Sequence, residues 1–145
     1  MVQLKGGDKL DAALKKMSAA VKKAAVLTVG FMGNATEPDG TPVAFVAAMN
    51  EFGHGNVPPR PFFRRTIKKR GNAWGHNLGV ALVRSGYDAK KALTMMGVGI
   101  RDDVQDGIRE LVSPPLKEST IKRKGFDKPL IETSTMLNSV TFKVK

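Results

Sequence analysis

The chain has 145 residues, 41% apolar and 6% aromatic, enough for one domain with a core of Ala, Val, Leu, Ile and Met rather than rings. Twenty-four Lys and Arg against 13 Asp and Glu give a net charge of +11. Cysteine is absent, which excludes a disulfide framework, a thiolate zinc site and an iron–sulfur cluster; the longest apolar run, Ala24–Met32, falls well short of the ~18–20 residues of a membrane span.

That run follows a Lys-studded helix rather than a short basic leader, so no signal peptide is read. The expected setting is a reducing cytoplasm, or a particle assembled in one. Leu10, Ala13, Leu14, Met17, Ala20, Val21 and Ala24 recur at steps of three and four, with Lys9, Lys15, Lys16, Lys22 and Lys23 largely off the stripe. The spacing predicts an amphipathic helix over 8–24, capped by Asp8. Its Ala-rich face has no Trp or Phe anchor, which argues against a membrane-surface helix. Ala25–Gly33 reads as a buried strand. Asn34–Pro42 is a loop with a turn at Pro38-Asp39-Gly40. Thr41 is then an N-cap and Pro42 the first residue of a helix over 42–52. That helix is almost entirely apolar, so burial on most sides is expected, in the core or against another subunit, and Gly53 ends it.

Pro58, Pro59 and Pro61 keep Gly53–Pro61 irregular. Pro61 opens a helix that runs to about Ser85 on Phe63, Ile67, Trp74, Leu78, Ala81 and Leu82. Gly71, Gly75 and Gly79 share a face of it, each costing about 1 kcal/mol relative to Ala unless another backbone packs closely there; the alternative is a break near Gly71. Asp88 caps a fourth helix, with Ala92, Met96, Ile100, Val104, Ile108 and Leu111 on one stripe, ended before Pro114-Pro115. Residues 116–124 suit one short helix. After Pro129 a turn precedes a strand in which Val140, Phe142 and Val144 alternate with Thr141 and Lys143, and the 25–33 strand is its natural partner. The fold expected is α+β: a single domain over 1–145, about four helices packed against a small, mostly antiparallel sheet, with long Pro-rich loops. The 113–132 segment is long for an internal loop and reads as an extended loop or assembly arm.

The charge is blocky. Residues 1–25 carry six Lys and two Asp, residues 26–59 three acids and no Lys or Arg, and residues 60–70 six basic side chains. Such blocks suit either a polyanion such as DNA or complementary packing between neighbouring subunits. Chemistry is sparse. Glu51 and His54 share a helical spacing, but Gly53 intervenes and further metal ligands are lacking. His76 has no acid at i±3 or i±4. Asp102, Asp103 and Asp106 read as the polar face of the fourth helix. The Gly-x₃-Gly series is followed by no Gly-Lys-Ser/Thr, so it is not a phosphate loop. No catalytic residue, cofactor site or metal site is assigned, and no enzyme is expected.

Two segments are more specific. The first is Asn50-Glu51-Phe52-Gly53 with Val57-Pro58-Pro59-Arg60-Pro61-Phe62-Phe63-Arg64. The second is Pro114-Pro115-Leu116, Thr120-Ile121, Lys124-Gly125, Lys128-Pro129-Leu130-Ile131-Glu132-Thr133 and Met136-Leu137-Asn138-Ser139-Val140. In this order and separation they resemble the neck and tail-completion proteins of tailed bacteriophages, the minor head–tail joining proteins of virion-morphogenesis type. The family usually has Gly after the Thr of the last motif, where this chain has Ser134; if Gly supplies a positive φ there, Ser carries a penalty.

The resemblance implies a non-enzymatic virion component in the neck or tail, assembled in the host cytoplasm. It would form a homo-oligomeric ring, expected to be a hexamer, between the phage connector and the tail terminator or tube proteins, with DNA contact in the channel a further expectation and no membrane partner. It makes Glu51, Phe52, Arg60, Phe62, Phe63, Arg64, Leu130, Ile131 and Leu137 candidate assembly-interface residues. Arg60, on a stiff Pro-flanked segment, would present its guanidinium to a neighbour's carboxylate, and Phe62 and Phe63 would anchor the turn into the following helix. The basic blocks 60–70 and 117–128 would line the lumen or meet the acidic 34–51 block at subunit borders; the borders are favoured, because a strongly positive bore would hold DNA back. The competing reading is a small basic nucleic-acid-binding protein. One Tyr and one Trp give it few stacking platforms, and no zinc pattern or RNP-type strand is present.

Overall fold

The computed structural model describes residues 6–21, 25–130 and 134–145. Among them the order is α1 (Gly7–Val21), β1 (Leu27–Phe31), α2 (Val43–Phe52), α3 (Phe62–Arg84), α4 (Ala89–Glu110), α5 (Glu118–Lys124), α6 (Thr135–Asn138) and β2 (Val140–Val144). This is an α+β fold, helix-rich around a two-stranded antiparallel sheet. Six helices replace the four expected, because α5 and α6 are short additions; the sequence pattern suggested the first and reads the second as a turn.

The α3–α4 hairpin is the frame. α3 is one unbroken helix, about 34 Å long at 1.5 Å per residue. It ends in a Schellman-type stop: Tyr87 N–H donates to the Leu82 carbonyl, Gly86 N–H donates to Val83, and Gly86 takes a left-handed φ of 63°. Asp88 then caps α4, accepting from the Lys91 N–H at 3.0 Å. Thr41 does not cap α2 as expected: Pro42 occupies the cap position and no side chain bonds the free N–H groups. Asp8 lies in the first turn of α1 rather than before it.

β1 and β2 pair in register from Leu27↔Val144 to Phe31↔Val140, the partnership expected from their patterning. α4 packs across both strands. The main core joins Val43 and Ala47 of α2, Phe62 of α3, Val104 and Ile108 of α4, Leu130, Met136 and Leu137, and Val140 of β2. A smaller cluster of Ala81, Ala92 and Met96 closes the far end of the hairpin.

The expected close approach at Gly71, Gly75 and Gly79 does not occur within the protomer, since a Cβ at Gly75 or Gly79 would meet open space and one at Gly71 only the side chain of Ile67 one turn earlier. The glycines that permit close packing are on α4. A Cβ at Gly97 would overlap the Phe142 ring, and one at Gly107 would overlap the Thr66 hydroxyl. α4 is thus drawn against β2 on one side and α3 on the other.

α2 and α1 each leave an apolar face uncovered in the protomer. α2 buries only Val43, Ala47 and Glu51. Its other face leaves Phe45 57% and Phe52 67% exposed, with Ala44 and Ala48 beside them. α1 buries no residue and has no extensive packing against any other element of the protomer.

Candidate assembly surface

The two specific segments meet at one place, the junction of α2 and α3. Glu51 lies in the last turn of α2 and is 6% exposed. Its Oε2 accepts from the Phe63 N–H at 2.9 Å, and its Oε1 accepts from the Arg64 N–H at 3.1 Å and the Arg64 Nε at 2.8 Å. An Arg64 terminal nitrogen also donates to the Glu51 carbonyl at 2.9 Å. Pro61 precedes α3 without a capping side chain. Glu51 therefore acts as a cap delivered from another helix, satisfying two free N–H groups and placing a carboxylate at the positive end of the helix dipole.

Gly53 makes this geometry possible. It ends α2 with φ 77°, and a Cβ there would come within 2.9 Å of the Pro59 nitrogen and the Val57 carbonyl oxygen. The chain thus turns tightly through His54–Val57, which pair backbone to backbone. The Arg60 N–H donates to the Asn50 carbonyl at 2.6 Å, locking the strap to α2.

Arg60 itself overturns the expectation made for it. It is 6% exposed, and its side chain points inward, donating from Nε to the Pro114 carbonyl at 3.2 Å and from a terminal nitrogen to the Pro115 carbonyl at 3.3 Å. Burial pushes its guanidinium down from the ordinary value. Its partners are carbonyls of its own chain, so no guanidinium is offered to a neighbour. Arg60 instead pins the start of the Pro-rich 113–132 segment, and Leu130 of that segment sits in the core. Between them lies α5, stopped by Gly125 in the left-handed conformation with φ 80°.

The other candidates divide cleanly. Phe62 is buried, edge-on to Phe31 with ring centroids 6.1 Å apart and to Phe63 at 6.2 Å. Leu137 is buried beside it in the same cluster. Phe63 is half-buried. Phe52 and Arg64 are on the surface, the guanidinium 5.0 Å above the Phe52 ring. Ile131 lies outside the described residues. Ser134 has φ 62°, the positive value at which Gly would carry no penalty.

The basic 60–70 block is largely satisfied within the protomer. Arg60 binds carbonyls, Arg64 pairs with Glu51, Lys69 with Glu110 at 2.9 Å and Arg70 with Asp103 at 3.5 Å. Asp103 also accepts from the Trp74 indole at 2.7 Å. The pairing expected between the basic block and the 34–51 acids across a subunit border thus occurs, at Glu51 and Arg64, inside one chain. Asp102 and Asp106 pair with Arg101 and Arg109, and among the described residues no group of His, Asp and Glu is placed to hold a metal ion.

The sequence reading left open whether α2 is covered by the core or by another subunit, and within the protomer its outer face is uncovered. Phe31, Ala44, Ala48, Phe52 and Phe63 line a shallow apolar groove of about 360 Å³ with Arg64 on its rim. The signal was there: a ten-residue helix with apolar residues all round cannot bury every face against one layer. Comparisons with protein-family models, curated proteins and solved structures find no match to this chain.

Proposed function

We propose that the chain is a structural subunit of a tailed-phage virion, a head–tail joining or tail-completion protein that works as an oligomeric ring between connector and tail tube. The class comes from the resemblance of the 50–64 and 114–140 segments. The observation that carries the reading beyond resemblance is the uncovered apolar face of α2, beside the Glu51 cap that joins the first of those segments to α3. A helix face with Phe45 and Phe52 more than half exposed, beside further apolar side chains, marks a protein-binding surface. The interlocked core behind it makes that surface rigid, so little entropy is lost on docking.

The nucleic-acid reading draws less support. Four of the six basic residues in 60–70 have partners in their own chain, which leaves Arg65 and Lys68 as that block's contribution to an anion-binding face.

Light scattering of the purified chain, alone and mixed with phage connectors or tail tubes, tests the proposal. Self-association, or incorporation into those assemblies, is the supporting outcome. A chain that stays monomeric, joins neither, and shifts a DNA probe with affinity falling steeply as salt rises belongs to the nucleic-acid class.

A further inference from the structure

Resting on that reading, we infer that α1 of one copy docks in the apolar groove on α2 of the next copy, and that this contact links the subunits. Each protomer carries both halves of an unfilled interface. The donor is α1, whose Leu10 and Leu14 are 62% and 54% exposed and continue through Met17 to Val21 on one stripe. The acceptor is the trough over Ala44 and Ala48, walled by Phe52, Phe31 and Phe63.

The halves match in length, shape and charge. Leu10 to Val21 spans about 16 Å of helix, and the ten residues of α2 span about 15 Å. Alanines at two successive turns let a second helix approach at the ~8–10 Å of ordinary helix packing. The stretch 26–59, which holds the groove's floor and β1, contains no Lys or Arg. The one cation on the rim, Arg64, is paired with Glu51. Lys9, Lys15 and Lys16 flanking the α1 stripe therefore face one cation in the groove lining, and that one is paired. The donor and acceptor are different surfaces, so the contact is head-to-tail, the type that closes into a ring when the rotation per subunit permits.

The chain has no cysteine, so Leu14→Cys and Ala48→Cys each introduce a single thiol in the full-length protein. Equal amounts of the two variants, mixed and treated with a short bismaleimide, are expected to give a covalent heterodimer, with little dimer from either variant alone. Leu14→Asp, at an exposed position that should leave the fold intact, is expected to weaken self-association about tenfold or more, the loss of one buried Leu contact. Three outcomes overturn the inference. These are cross-linking of Leu14→Cys to itself, an intramolecular link at all dilutions in a variant that carries both Leu14→Cys and Ala48→Cys, and wild-type association of Leu14→Asp. If copies associate in light scattering while any of these is seen, the ring reading stands and the α1 contact falls. If no condition, connectors and tail tubes included, produces association, both fall.

Discussion

Removing the Glu51 carboxylate tests whether the α2–α3 junction is held by a cap or by a surface ion pair. In Glu51→Ala the Phe63 and Arg64 N–H groups lose their acceptor. A lost cap typically costs about 1 kcal/mol. The charge at a partly buried helix N-terminus adds up to ~2 kcal/mol. The ion pair with Arg64, whose side chain is 58% exposed, adds well under ~1 kcal/mol after solvent screening. The total is about 3 kcal/mol. With unfolding entropy of about 2.1 cal/mol/K per residue, 1 kcal/mol moves the Tm of a chain this size by roughly 3 °C. Glu51→Ala should therefore lower Tm by about 10 °C. Glu51→Gln, which keeps an oxygen but loses the charge, should lower it by about two-thirds as much. Arg64→Ala should lower it by no more than ~3 °C. Circular dichroism melts of the three variants decide the matter. If Arg64→Ala destabilises as much as Glu51→Ala, the ion pair dominates and the capping argument is wrong.

Other variants probe the remaining anchors. Arg60→Ala loses two long bonds to the Pro114 and Pro115 carbonyls and should lower stability by about 2–3 kcal/mol in urea titrations of the isolated chain, with Arg60→Lys recovering little because an ammonium cannot fork; wild-type stability with failed assembly would restore the interface role. Ser134→Gly relieves a left-handed residue whose side chain makes no capping bond, and Tm should rise by roughly 2–3 °C once glycine's own entropy is set against the relief. Gly97→Ala should cost about 1–3 kcal/mol, because the Phe142 ring must move. The Lys69 ammonium holds the Glu110 carboxyl below its ordinary 4.5. Its stabilising contribution is therefore complete above that pH and vanishes as pH falls through the lower folded value, so Glu110→Gln should lower stability slightly at neutral pH, leave it unchanged in strong acid, and thereby flatten the acid limb of a stability–pH curve.

The sequence was most legible where periodicity and punctuation agree. α3 and α4 end close to where Pro61, Asp88 and Pro114 said they should, and the two strands pair as their alternation required. Ser134 is a finer case, since the suspected positive φ was read from a missing glycine and is present. What stayed hidden depends on direction. Arg60 looked outward because it is charged and flanked by prolines; only the fold brings carbonyls of the 113–115 segment within reach of it. The glycine series on α3 invited a packing argument, while the two glycines that touch something, Gly97 and Gly107, lie inside an otherwise ordinary stripe. Spacing shows which residues share a face, and nothing in it shows which face finds a neighbour.

The same distinction bears on what the molecule binds. Net charge of +11 invites a polyanion, yet the densest basic block is turned largely to internal work. Pairing leaves the net charge unchanged but makes this block a set of local dipoles rather than a concentrated anion-binding patch, so the excess positive charge is spread over the rest of the surface. Apolar surface has no such internal answer here. The outer face of α2 and the stripe of α1 remain in water, at roughly 25 cal/mol for each Å² left uncovered. A chain whose densest basic block is engaged internally while two apolar faces stay open fits the proposed reading, in which burial against other protein surfaces drives association. If that force is the dominant one, association of the chain with itself should persist in molar salt, where a phosphate-driven complex would dissociate. Dissociation of the assembly on adding salt would instead mean that the unpaired lysines and arginines carry the binding.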